Sequence, residues 1–367
     1  MTTKSGMRGL LAAALLTAAW ALPAKAEDNV LHIYNWADYI GETTIADFEK
    51  ETGIKVVYDT YDSSETLGAK MMAGNSGYDL VIDSGNTSAK LMRAGIFMPI
   101  DKSKLKNYGN LDAGLLKAVE GFDPGNQFGV PYMWGTVGVA YNTDLVNKAI
   151  PNPPVDSLDI LFKPENAQKL ADCGISALES PTDMIPMALA YLGKNPDSED
   201  PKDYDEVVKL FEPIRQYIKV FDSENYLNSL PNQEVCVAFS WSGDYATAAQ
   251  RAEEAGTKVN LEFHVPKTGG PAWFDLWLIP KDAKNPEAAL KFIDYVLRPD
   301  VIASITNFTN YANAVPASND KVDKSILENT AIYPDEATMK RLWTPKILSQ
   351  AGERARTRAW SKIKTGQ

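Results

Sequence analysis

Five short segments carry residue types able to hold a charged alkyl chain. They are Asn35-Trp36-Ala37-Asp38-Tyr39, Pro181-Thr182-Asp183, Trp241-Ser242-Gly243-Asp244, Trp273-Phe274-Asp275 and Asn310-Tyr311-Ala312-Asn313. Aromatic faces pack against methylenes and attract ammonium groups through their π quadrupoles. Carboxylates accept hydrogen bonds from ammonium donors. Rings and acids that recur together suit a polyamine, an alkyl chain with a positive charge at each end. Each residue alone has a plainer reading. A Trp after a strand packs a core, an Asp there caps a helix, and Gly243 or Gly85 permits a turn. Asp275 resists that treatment, because an acid inside an apolar strand is costly unless it is paired.

The elements around these segments should put them on one rim. Val30–Tyr34, Ile54–Tyr58 and Tyr78–Asp83 read as strands, separated by helices at Thr43–Thr52 and Glu65–Ala73. A further helix is predicted over Thr87–Ala94. This alternation predicts an α/β fold with a parallel sheet. Ligands bind such sheets beyond the carboxyl ends of the strands. Trp36, Asp38 and Tyr39 follow the first strand, and Ser84, Gly85 and Asn86 follow the third. A second set of strands is expected at Val137–Tyr141, Gly174–Leu178 and Val235–Trp241, with helices at Met184–Leu192 and Asp205–Tyr217. Asp183 and the Trp241–Asp244 segment fall just after two of those strands. Further strands are expected at Leu261–Val265 and Trp273–Ile279, then a helix over Pro286–Leu297.

The start of the chain reads as a cleavable targeting segment. Lys4 and Arg8 precede an apolar run from Leu10 to Leu22, and Ala24-Lys25-Ala26 fits a small-x-small cleavage site. The run is short for a membrane span, and no Cys lies near the cleavage point to carry a lipid. The mature chain is expected to be exported and soluble. Its two cysteines, Cys173 and Cys236, then invite one disulfide, with two buried free thiols as the alternative. A bridge closing a loop of about 60 residues would contribute roughly 4 kcal/mol on the chain-entropy model.

The whole chain has 37 basic and 48 acidic residues. Residues 1–26 hold three basic and no acidic ones, leaving a mature net charge near −14. Such a field disfavours nucleic acid or an anionic membrane surface and suits a cationic ligand. About 340 mature residues are too many for one ordinary core and predict two domains. No GxSxG, Walker, dinucleotide or HExxH pattern is present. The two histidines, His32 and His264, sit inside predicted strands. A cleft glycosidase using paired carboxylates, a metal-binding receptor, which the three tryptophans disfavour, and a polyamine sensor are the alternatives; an enzyme, a cofactor and a metal site are not expected. The Arg354, Arg356, Arg358 run reads as a solvated helix face, with docking on a partner as the alternative.

The stretches LHIYNWADYI, FEKETGIKVVYDTYDS, PYMWGTVGVAYN, CVAFSWSGD, FDLWLIP, YVLRPDV, NYANA and RTRAW resemble the periplasmic polyamine-binding proteins of bacterial ABC transporters. The resemblance runs from about Leu31 to the C-terminus. It implies a two-lobed periplasmic binding protein of type II topology, with the ligand cleft between the lobes. The implied division is a signal peptide over residues 1–26, lobe one over 27–136 plus 250–304, and lobe two over 137–249 plus 305–367. It implies ligand contacts from Trp36, Asp38, Tyr39, Ser84, Asp183, Trp241, Asp244, Trp273, Asp275 and Tyr311. Relatives often carry Glu where this chain has Asp183. Asp275 and Asp244 are expected at one ammonium, and Asp38 with Ser84 at the other. Asp38 and Asp244 resemble the putrescine type, whereas Trp273 resembles the spermidine type, and Asn86 stands where a putrescine-type serine is expected. The expected partner is a membrane permease, and the expected state is a monomer.

Overall fold

The computed structural model describes residues 1–2, 29–61 and 63–366. The expected targeting segment therefore lies, from residue 3 on, outside the described residues. Among the described residues the strands are β1 (Val30–Trp36), β2 (Lys55–Tyr61), β3 (Leu80–Ser84), β4 (Gly129–Asn142), β5 (Ile175–Ala177) and β6 (Ile218–Phe221). They continue with β7 (Val237–Trp241), β8 (Leu261–His264), β9 (Gly270–Leu278), β10 (Ala312–Asn313) and β11 (Leu342–Trp343).

The architecture turns on β4, which is buried along its whole length. Its first half pairs with β9, from Gly129 opposite Leu278 to Thr136 opposite Ala272. Its second half pairs with β7 on one edge and β8 on the other, beginning with Val137 opposite Trp241. One set of strands thus runs β2-β1-β3-β9-β4, with β10 added on β4. The other runs β8-β4-β7-β5-β6. A strand whose partners change between Thr136 and Val137 passes from one lobe into the other. Only the second half of β4 is legible as the strand Val137–Tyr141. The first half contains Pro131, Gly129 and Gly135, which weaken a strand pattern, and its register shifts between Pro131 and Trp134.

The sheet is mixed where the sequence predicts a parallel one. β1 pairs in parallel with β2 and β3, and β5 with β6 and β7. β9 runs antiparallel to both β3 and β4. The alternation of strand and helix accounts for the first group, since each helix carries the chain back to the same end of the sheet. β9 instead enters between β3 and β4 straight from β8, with no helix intervening.

Two clusters of buried apolar side chains follow the two strand sets. The first draws on residues from Leu31 to Trp134 and from Ala272 to Ile332, plus Ala246. The second draws on Val137 to Val265, Ala331 and the C-terminal helix Gln350–Thr365 through Ala355, Ala359, Trp360 and Ile363. Ile305, Val315, Val322 and Ile326 belong to the first cluster. The helix Ser242–Glu254 runs unbroken past position 250.

The helices that carry the site start where local chemistry allows. Pro181 occupies the first turn of the helix Pro181–Tyr191, behind Ser180 as N-cap. Proline is favoured there because its missing N–H would be unpaired anyway. This helix starts three residues before the expected Met184, so Asp183 lies in its first turn. The helix Ser242–Glu254 follows β7 without a loop and puts Asp244 in its first turn.

Cys173 and Cys236 form a disulfide, with their α-carbons 5.4 Å apart. It ties the turn before β5 to the residue before β7, beside the hydrogen bond from the Cys236 N–H to the Gly174 carbonyl. Replacing both cysteines by alanine should lower the unfolding free energy by about 2–4 kcal/mol. Urea denaturation of the oxidised parent and the double variant measures it, and an unchanged midpoint would contradict the bridge's role.

Candidate functional site

The crossing point of β4 gathers the expected residues from both strand sets. Trp36 ends β1 and Ser84 ends β3. Asp275 lies on β9 directly opposite Ser84, and Trp273 lies on the same strand opposite Gly135 of β4. Trp241 ends β7, opposite Val137. Asp244 follows one turn later, and Tyr311 immediately precedes β10, which pairs with β4 at Trp134.

The rings form a connected wall. Tyr311 meets Trp273 and Tyr39 edge to face, each with ring centroids 5.3 Å apart. Tyr39 meets Tyr132 in the same manner at 5.4 Å. Trp36 lies against Tyr61 at 4.3 Å. Such arrangements match the negative face of one ring with the positive edge of another. The wall is held from behind: the Tyr132 hydroxyl and the Asn35 amide both donate to the Tyr39 carbonyl, at 3.0 and 3.1 Å. Glycine is required at two points of close approach. A methyl group on Gly243 would overlap the Tyr311 ring, and one on Gly135 would overlap the Trp273 indole.

The acids are buried among these rings with few neutralising partners. Asp275 is 6% exposed. Burial, reinforced by the charge of Asp83, pushes its carboxyl up to about 8. The nearby Tyr39 hydroxyl opposes that rise, although it makes no hydrogen bond by strict geometry. Asp244 accepts hydrogen bonds from the Tyr226 hydroxyl at 2.5 Å and from the Tyr311 hydroxyl. Burial still raises its pKa, and these hydroxyls and the charge of Arg251 only moderate the rise. Asp183 accepts from the Ser180 hydroxyl at 2.7 Å. Burial pushes it up to about 6, against the pull of Ser180, the Trp241 indole and the charge of Arg356.

Asp38 differs from the other acids. It sits in the left-handed region at φ 53° in the turn after β1, a conformation Asp tolerates better than most residues. Its side chain is 82% exposed and lies 3.5 Å from Arg251. Asp244 and Asp275 both lie close enough to Tyr311 to act on its hydroxyl, and each also has a further neighbour. Register places Asp275 beside Ser84, while Asp244 shares its surroundings with Asp38, whose charge adds to the rise in its pKa. The Ser84 hydroxyl itself donates to Asn86 Oδ1 at 2.6 Å.

Three contributors are not in the sequence-derived set. Asp83 is 1% exposed and accepts from Ser64, Thr87 and Ser88 at 2.6, 3.0 and 2.5 Å. Even so, burial holds its carboxyl near 6. Its place as the one acid in the apolar run Leu80–Ser84 was the available signal. Tyr226 comes from a four-residue helix with no readable pattern. Arg356 is the third: its side chain is only 12% exposed, so the solvated-face reading of the arginine run fails for that residue, while Arg354 and Arg358 are exposed.

Chemically, this is a cleft of desolvated carboxylates faced by aromatic rings. Each anion would be stabilised by a bound cation, and the rings offer faces for the chain that joins two cations. Among the described residues, no group of three or more His, Cys, Asp or Glu side chains is placed to hold a metal ion. Two lobes crossed by a shared strand, with the cleft at the strand ends, define a solute receptor of the two-lobed type. The family model for bacterial extracellular solute-binding proteins matches residues 43–334, and the chain belongs to that family. It is similar to the putrescine-binding periplasmic protein SpuD of Pseudomonas aeruginosa, with 46% identity over 98% of each chain. It is also similar to the putrescine-binding periplasmic protein PotF of Escherichia coli, with 46% identity over 99% of each chain. Among solved structures it resembles the spermidine/putrescine ABC transporter substrate-binding protein PotD of Streptococcus pneumoniae. There the TM-score is 0.78 at 28% identity, covering 92% of this chain and 99% of that one.

The raised carboxyls fix a pH dependence. Between an ordinary Asp value near 3.8 and the Asp275 value near 8, the folded empty protein holds a proton that the unfolded chain releases. Stability is therefore full below about pH 4 in this respect and is lost as pH rises through about 8. Replacing Asp275 by Asn should remove that loss, raising the empty protein's stability at pH 8 by roughly 1–3 kcal/mol and leaving it little changed at pH 4. Thermal melts of both proteins across this range decide it; equal pH slopes would refute the assignment.

Proposed function

We propose that this protein captures a polyamine in the periplasm, putrescine foremost, and delivers it to the permease of an ABC transporter. The observation that carries the reading is Asp275, a buried acid raised to about 8 on the strand that also carries Trp273, with no fixed cation among the groups that act on it. A primary ammonium supplies three donors and a full charge. It would draw the carboxyl into its ionised form and repay the desolvation of both groups. A second acidic pole, Asp244 with Asp38, suits the other ammonium, and Trp36, Trp241 and Trp273 suit the methylenes between. Tyr39, Tyr311 and Ser84 complete the contacts, with Asp183 acting from across the cleft. Fixed poles also gauge length, because a chain too short leaves one buried acid unpaired.

The names of the 46%-identical relatives support putrescine. A spermidine-preferring or mixed receptor is the second reading, favoured by the wider ring of Trp273 and by a 34%-identical relative named as a spermidine/putrescine-binding protein. The protein acts as a monomer in this reading, and its acidity leaves nucleic acid aside.

We also propose a lobe division that follows the buried clusters. Lobe one takes residues 29–136 and about 270–332, and lobe two takes 137–265 and the C-terminal helix. Compared with the division implied by family resemblance, this moves the 250–265 segment into lobe two and the 305–332 segment into lobe one.

Calorimetric titration of the ligand-stripped protein with putrescine, spermidine, spermine, cadaverine and agmatine tests the function. One-to-one binding tightest for putrescine is expected. It should release protons at pH 7, seen as a heat that changes with the ionisation enthalpy of the buffer, because Asp275 must ionise. Tightest binding of spermidine would select the second reading, and no binding of any of the five would reject both. Gly243→Ala should weaken binding at least tenfold by displacing the Tyr311 ring; unaltered affinity would remove Tyr311 from the site.

A further inference from the structure

The partly buried arginine of the Arg354–Arg358 run, Arg356, lies at a junction between the lobes. The Arg356 guanidinium contacts Glu353 Oε2 at 2.6 Å, and the other Glu353 oxygen meets Lys90 Nζ at 2.7 Å. Lys90 belongs to the helix Gly85–Arg93, which packs into the first buried cluster through Ala89, Leu91 and Met92. Glu353 and Arg356 belong to the helix Gln350–Thr365, which packs into the second. The three charged groups border a cavity of about 170 Å³, lined also by Asn86 and Thr87 on one side and Thr182 on the other. Asn86 takes the Ser84 hydroxyl, and Thr182 precedes Asp183, so the cavity abuts the cleft from both lobes.

We propose that Lys90, Glu353 and Arg356 form an ionic clasp that holds the lobes closed over the bound ligand, at the edge of the cleft next to Asp183. Arg356 is a positioning residue in this scheme, acting through Glu353 without touching the ligand. Its charge favours the ionised form of Asp183. The Ser180 hydroxyl fixes the carboxylate from the helix side. Glu353 keeps the guanidinium in place only while one of its oxygens is free to face it. Lys90 takes the second oxygen, and it can do so only when the lobes are together. Closure thus joins Lys90 to Glu353, and Glu353 holds Arg356 beside the cavity that Thr182 also lines. The Lys90 side chain is half exposed, so its pairing with Glu353 is open to screening by salt.

The inference rests on the polyamine reading, and one experiment separates the two. Release of putrescine from the loaded mature protein is followed by stopped-flow tryptophan fluorescence for the parent, Lys90→Gln, Arg356→Gln and Arg356→Lys. Both glutamine variants should release putrescine roughly three- to tenfold faster. Added salt should speed release from the parent more than from Lys90→Gln, and Arg356→Lys should recover most of the parent rate. Release rates within twofold of the parent for both glutamine variants, or no rescue by lysine, would overturn the clasp alone. A parent that binds no polyamine would overturn the clasp together with the function. Should Arg356→Gln fail to fold, the exposed Lys90→Gln and its salt dependence decide the question by themselves.

Discussion

Negative charge removed from water is the constraint on which the rest of the molecule depends. Asp83, Asp183, Asp244 and Asp275 are each pushed towards their neutral forms by burial. A fold selected for stability alone would pair such groups with fixed cations or replace them with apolar residues. Here Asp83 is met by three hydroxyls and Asp244 by two, which moderates the cost without cancelling the charge. Neutral donors suit a receptor. They hold a carboxylate in place without satisfying its need for a counter-charge, so the ligand's ammonium supplies the term that the protein withholds.

That arrangement needs a scaffold that brings acids from distant segments to one point without a flexible connection. β4 meets the need by belonging to both strand sets. Its partner changes from β9 to β7 within one residue step, at Thr136 and Val137. The β9 strand carries Trp273 and Asp275, and the end of β7 carries Trp241 with Asp244 one turn on. The site is therefore registered by main-chain hydrogen bonds in each lobe, and its width is set by how the lobes meet. Glycine at 135 and 243 lets Trp273 and Tyr311 approach the crossing closely. Each half is tied internally by these pairings, and the proposed capture-and-release cycle would move one half against the other.

Much of this was legible in the sequence because the site residues sit at element ends. Strand-to-helix changes of period mark such ends, and a Trp or Asp placed just after one stands out. The buried acid in the apolar strand around Asp275 was readable on energetic grounds alone. The antiparallel entry of β9 was not, since nothing in local periodicity reports which neighbour a strand will choose. The first half of β4 was hidden by Pro131 and two glycines. Pairings among the acids were hidden for a different reason: Asp275 stands beside Ser84 only through the register of β9 on β3, which the sequence does not encode locally. Arg356 was hidden by its own neighbours, because Arg354 and Arg358 give the run the look of a solvated face.

On the proposed function, the contrast between Asp183 and Asp275 would let one cleft both bind and release. Asp183 has a fixed cation near it and a Trp241 partner, and its carboxyl is held near 6. Asp275 has neither, and its carboxyl is held near 8. In the proposed reading Asp183, the less raised of the two, is the more readily charged in the empty protein and draws the ammonium in. Asp275, the more raised, would gain its charge as the ammonium arrives and water leaves. The attraction at encounter and the tight contact after closure thus come from different acids. Because ionising Asp275 releases a proton, the strength of the final contact depends on pH, whereas the initial attraction depends on it less. A receptor whose every acid was charged beforehand would be less stable empty and slower to let go; one with every acid neutral would lose its pull on the ligand.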